Sequence, residues 1–202
     1  MSEKIWERIE RSRGRWNVLS HPFYQRWSAG ELGAEELARY SGQYRHAVEA
    51  IAKLSADAAD AAPERPDLRR HAAEEAGHVR LWDGFVDASG GSAGDEPTAE
   101  TRECVRVWTG GDDLLAKLAR LYAIESGQPE ISRTKLDGLL GPYGFEAGAG
   151  TAYFSVHAQR DVEHAAEVSE LISELADDDD ADRLAAATEA AFRANWRLLD
   201  GV

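Results

Sequence analysis

Between Ala34 and Ala59 the residues Leu37, Tyr40, Tyr44, Ala47, Val48, Ile51 and Leu54 recur at steps of three and four. That spacing lays one apolar stripe along an α-helix and cannot serve a strand, whose faces alternate every second residue. The same period returns along the chain. Ile5, Ile9, Trp16 and Leu19 begin a first segment that His21-Pro22 interrupts before Phe23 to Trp27 resume it. Further helices are expected over 67–87, 98–108, 114–126, 129–140, 151–175 and 181–199, separated by Gly and Pro punctuation, of which Ser89 to Gly94 is the most evident loop. Asp112 and Asp113 stand where acidic residues favour a helix start. No window alternates β-branched residues. The expected fold is all-α, in one domain over 1–202.

The chain has 202 residues, 43% of them hydrophobic and 30% charged, which supports a packed core. Its 37 acidic against 23 basic side chains give a formal net charge of −14. Such a surface disfavours phosphate backbones and anionic lipid, so neither nucleic acid nor membrane is expected as a partner. One cysteine, Cys104, has no internal disulfide partner, and Met1 to Lys4 lack the apolar run of a signal peptide. A cytoplasmic location is the expectation. The acidic run Asp177 to Asp180 reads as a solvated turn.

Chemistry concentrates in Tyr153-Phe154-Ser155-Val156-His157-Ala158-Gln159-Arg160-Asp161-Val162-Glu163-His164. On a helix, His157, Asp161 and His164 share one face, a row of two imidazoles and a carboxylate suited to iron with positions left open for dioxygen. Tyr153, Phe154, Val156, Ala158, Val162, Ala165 and Val168 flank the row, which argues that it turns inward, where charge needs a partner or a metal. Two other segments offer matching groups. Glu75 and His78 lie three apart, with Glu74 as a geometric substitute for Glu75, and Glu125 sits in an otherwise apolar helix. Three carboxylates and three imidazoles suffice for two iron ions. His71 lies seven before His78, but a place on the helix surface is expected for it. His21 reads as a helix-start or packing residue, and Cys104 as buried and structural.

His21-Pro22-Phe23-Tyr24-Gln25-Arg26-Trp27 followed by Gly30-Glu31-Leu32, then Tyr40, Tyr44, Glu125, Pro129, Lys135, His157, Asp161 and His164, resemble the haem-oxygenase-like di-iron oxidases. The likeness extends over nearly the whole chain. It looks closest to the chlamydial protein associating with death domains (CADD) and its bacterial relatives, with the TenA thiaminases and PqqC-like oxidases as wider kin. The resemblance implies a compact seven- to eight-helix bundle with two iron ions, or a manganese and iron pair, in its core. It also implies para-aminobenzoate synthesis for folate: Tyr24 as the ring consumed, Tyr40 as a redox relay, Lys135 as nitrogen donor, O2 as co-substrate, an external reductant, and a homodimer.

Three rival readings remain at this point. The same metal site could oxidise an external amino acid or fatty acid, with Lys135 and arginines binding its carboxylate. A thiaminase-type hydrolysis would need a nucleophilic cysteine, for which Cys104 is poorly placed. A non-catalytic helical binding protein would let the polar residues pair with each other, and would refuse iron.

Overall fold

The computed structural model describes residues 3–111 and 113–202, so the expectation for Asp112 and for Met1 and Ser2 lies outside the described residues. Among them are nine α-helices and no strand: α1 Glu3–Arg15, α2 Pro22–Ala29, α3 Ala34–Ala61, α4 Pro66–Ser89, α5 Ala99–Trp108, α6 Leu114–Glu125, α7 Gln128–Leu140, α8 Ala152–Leu175 and α9 Ala181–Asp200. The segment broken by His21-Pro22 accounts for both α1 and α2. A 3-10 turn, Val18–Ser20, joins them. His21 is the α2 N-cap, its Nδ1 accepting from the Phe23 amide at 3.1 Å while Nε2 lies 3.1 Å from Asp200 on α9. Among the described residues no helix is long and apolar enough to cross a membrane.

Local chemistry sets most boundaries. Gly30 closes α2 and Gly90 closes α4 in the left-handed conformation, at φ of 70° and 72°, which glycine adopts without penalty. Pro66 and Pro129 lie in the first turns of α4 and α7, where a missing amide costs nothing. Asp113 caps α6 by accepting from the Ala116 amide. Asp177 to Asp180 form an exposed turn in which the Asp177 carboxylate accepts from the Asp179 and Asp180 amides.

The long helices α3 and α4 pack along each other, α8 lies against α4, α6 and α7, and α9 covers α5 and α6. Their apolar stripes meet in one continuous core. Trp27, Trp82 and Trp108 are wholly buried, and each indole N–H finds a backbone carbonyl, on Lys135, Ser41 and Ala191. Gly138 lets the Trp27 ring lie on α7, since a Cβ there would stand 2.4 Å from the indole nitrogen. Cys104 is buried, and burial pushes its thiol up, so it is an inert core residue.

Candidate metal centre

Three neighbouring helices aim polar side chains at one point in this core. From α4 come His71, Glu75 and His78, from α6 Glu125, and from α8 His157, Asp161 and His164. All seven are buried, the carboxylates at 3% exposure for Glu75, 2% for Glu125 and 1% for Asp161. Carboxylates so far from water require compensating positive charge.

The donor atoms fall into two groups that share Glu75. One is His71, Glu75, Glu125 and His164; the other is Glu75, His78 and His157. Within each, one potential ligand atom per residue lies within 4.8 Å of all the others. Asp161 adjoins the first, its Oδ1 being 3.7 Å from His164 Nδ1. His71 Nε2 and Glu125 Oε1 stand 2.7 Å apart, yet without the alignment of a hydrogen bond, so both atoms are left without a hydrogen-bond partner. His157 Nε2, His164 Nδ1 and both Asp161 oxygens are likewise buried without partners. Native proteins rarely tolerate so many unsatisfied buried groups, and these converge on the same small volume. The residues fit a metal centre of nitrogen and oxygen donors.

Electrostatics point the same way. Burial alone would lower the pKa of His71 and His164, but Glu125 beside the first, and Asp161, Glu125 and Glu74 around the second, raise both. Burial raises the Glu125 carboxyl, and the like charges of Glu75 and Asp161 add to it against the pull of His71. Glu75 is lowered because His78, His157 and His71 outweigh its desolvation. The carboxylates thus favour a proton on His71 and His164 in the metal-free protein, and cations would replace those protons.

On His157 and His164 the ring nitrogens facing away from the cluster are engaged. His157 Nδ1 lies 2.8 Å from the Tyr153 carbonyl, a contact only an N–H can make, which leaves Nε2 for the cluster. The Tyr153 ring stacks on His157 at 3.8 Å and meets Trp82 edge-on at 4.8 Å. Trp82 leads to Tyr40 and Tyr44, with centroids 6.0 and 5.1 Å away.

Beyond Trp82 lies a second unusual group. Lys135 is 0% exposed and its Nζ has no hydrogen-bond partner. It faces the rings of Tyr44, Trp82, Tyr40, Phe154 and Tyr24 at 4.5, 5.3, 5.4, 5.4 and 5.8 Å. Desolvation with no anion beside it pulls the amine down to about 7. Tyr24 and Tyr40 place their hydroxyls 3.3 Å apart, and burial holds both phenols well above their usual range.

Several expectations change. His71 belongs inside the cluster, because α4 turns its whole polar stripe toward α6 and α8. Glu74 lies at its edge, with its oxygens 2.9 Å from Arg160 and 3.0 Å from His164 Nε2. Val162, counted among the apolar flank, is 55% exposed, since it sits across α8 from the buried face. Tyr153 was legible only as an apolar helix position.

The chain matches the family described as iron-containing redox enzymes over residues 65–196, a span that holds every member of the cluster. It is 33% identical to the 4-aminobenzoate synthase of Chlamydia muridarum, over 91% of this chain and 84% of that protein. A haem-oxygenase-like domain of unknown function from Shewanella denitrificans superposes over all of this chain and 91% of that one, with a TM-score of 0.81 at 20% identity. A TenA homologue from Pseudomonas syringae reaches 0.84 at 19% identity, over 98% of this chain and 90% of that one. The chain therefore belongs to the iron-containing redox enzymes of haem-oxygenase-like fold, an oxidoreductase family in which 4-aminobenzoate synthases are among its relatives.

Proposed function

We propose that this enzyme makes 4-aminobenzoate from its own side chains, with Tyr24 supplying the ring, Lys135 the nitrogen and Tyr40 a relay. The observation that carries the reading is Lys135, a fully buried amine with no partner, set among Tyr24, Tyr40 and Tyr44. An ordinary structural lysine would pair with a carboxylate or reach water. The name of the Chlamydia muridarum relative supports the same reaction.

His71, Glu125 and His164 would hold one iron ion, His78 and His157 the other, with Glu75 shared and Asp161 beside His164. Manganese in one position would suit the same donors. When bound, the metal pair supplies activation of O2 and oxidising power, with electrons from an external reductant. The chain's own residues do the rest. With its pKa brought down to about 7, the Lys135 amine carries a free lone pair in about half of the molecules at pH 7. The Tyr40 hydroxyl lies 3.3 Å from the Tyr24 phenol, a contact through which a proton can leave as the ring is oxidised. The aromatic wall of Tyr44, Trp82 and Phe154 excludes water from Lys135. With Tyr24, Tyr40 and Lys135 at 2%, 0% and 0% exposure, this chamber is filled by the protein's own groups, which favours self-modification over an external amino or fatty acid.

The test is isotopic. Protein carrying ring-labelled tyrosine and nitrogen-labelled lysine is loaded anaerobically with Fe(II), given reductant and oxygenated buffer, and its small molecules are read by mass spectrometry. Doubly labelled 4-aminobenzoate is expected, and Tyr24→Phe abolishes it while metal uptake is unchanged. Unlabelled product, or product from Tyr24→Phe, overturns the proposal.

A further inference from the structure

The orientation of His164 depends on groups outside the cluster. Its Nε2 lies 3.0 Å from Glu74 Oε2, and its Nδ1 faces inward, 3.7 Å from Asp161 and 3.8 Å from Glu75. Glu74 is itself gripped from the far side by Arg160, whose Nη2 reaches both its oxygens at 2.9 Å. Arg160 is anchored in turn by Glu163, one turn along α8, at 2.8 Å. These outer groups are half-buried to exposed, whereas His164 is buried. The arrangement runs from solvent to the cluster: Glu163, Arg160, Glu74, His164.

We infer that Glu74 is a positioning residue that fixes His164 as the Nε2–H tautomer and so presents Nδ1 to a metal ion, with Arg160 holding Glu74 in place. A carboxylate can only accept here, so an unprotonated imidazole ligand must keep its proton on Nε2. Carboxylates that accept from the outer nitrogen of a metal-bound imidazole orient the ring and strengthen its donor, and losing one costs about 10–100-fold in metal affinity. Glu74 and its neighbour Glu75 thus divide the work: Glu75 faces the cluster from the inside of α4, and Glu74 braces it from the rim.

Two features make this specific to one half of the centre. His164 belongs to the group with His71 and Glu125, while His78 and His157 have their hydrogen-bond partners in Glu75 and the Tyr153 carbonyl. His157 has its own brace, the Tyr153 carbonyl, which no side-chain substitution at position 74 removes. Loss of Glu74 therefore weakens one metal position and spares the other.

The inference rests on the reading that the cluster holds two metal ions, and the experiment separates the two. Wild-type protein, Glu74→Ala, Glu74→Gln and Arg160→Ala are titrated anaerobically with Fe(II), and again with Zn(II) after nitrogen labelling of histidine. Wild type should take two ions, and Glu74→Ala should bind one with unchanged affinity and the other about 10–100-fold more weakly. Glu74→Gln keeps an accepting oxygen and should recover most of that loss, and Arg160→Ala should lose less than Glu74→Ala. In the zinc-loaded wild type, histidine nitrogen spectra should show His164 bound through Nδ1 with its proton on Nε2. Wild type that takes no metal sinks the metal-centre reading itself. Wild type that takes two ions while Glu74→Ala binds both unchanged, or a His164 bound through Nε2, overturns the role of Glu74 alone.

Discussion

Replacing Lys135 with methionine should make the metal-free protein more stable, and by an amount that depends on pH. The lysine amine falls from 10.5 to about 7 on folding, and desolvation is the cause. At about 1.36 kcal/mol per pH unit, that fall sets the cost of burying the charge at about 5 kcal/mol. The sign follows from proton counting. Above pH 10.5 the amine is neutral folded or unfolded, and the cost vanishes. Between 10.5 and 7 the unfolded chain holds a proton that the folded one has lost, so the cost grows as pH falls, and below 7 it is constant. Contacts with five aromatic rings offset part of it, since a cation over a ring face is favourable. Methionine matches the length of the side chain and suits an apolar cage. Urea unfolding at pH 7 should place Lys135→Met about 3–5 kcal/mol above wild type. At pH 9.5 the gap should shrink to about 1 kcal/mol, with equal m-values throughout. Titration of Cys104 and the tyrosines is common to both proteins and cancels from the difference. A gap that does not change with pH, or a variant less stable than wild type at pH 7, refutes a desolvated and unpaired Lys135.

Three further perturbations probe other parts of the account. Asp161→Asn removes one carboxylate donor from the cluster, so its gain in stability on adding Fe(II) should fall well short of the roughly 2.7 kcal/mol expected at a hundredfold excess over Kd, read by thermal unfolding with and without the metal. His21→Ala deletes the α2 cap and the link to Asp200, and should cost about 1 kcal/mol in urea unfolding without altering metal uptake. Gly138→Ala drives a methyl into Trp27 and should cost about 1–3 kcal/mol, accompanied by a change in near-ultraviolet circular dichroism.

What could be read from the sequence divides along the range of the forces involved. Helices were legible because their signals are local: the apolar stripe of α3, Pro66 and Pro129 at helix starts, and Gly30 and Gly90 at helix ends. The row His157, Asp161, His164 was legible for the same reason, since one helix fixes their common face. His71 was not. On α4 the stripe that carries it runs Leu68, His71, Glu75, His78, Trp82 and Phe85, and its polar middle looks the same whether it faces water or other polar groups. Glu74 and Glu75 differ by about 100° around the helix, so only the roll of α4 against α8 decides which one enters the cluster. The packing of α2, α3 and α7 that seals Lys135 is a matter of tertiary contact, and composition alone would have put that lysine on the surface.

The most direct test of the central claim is a crystal structure of the protein loaded anaerobically with Fe(II), with anomalous differences recorded across the iron edge. The account predicts two iron peaks in the core, one bounded by His71, Glu125 and His164 and the other by His78 and His157, with Glu75 reaching both. An iron-soaked crystal with no peak there, its imidazoles and carboxylates paired only with each other, would contradict it.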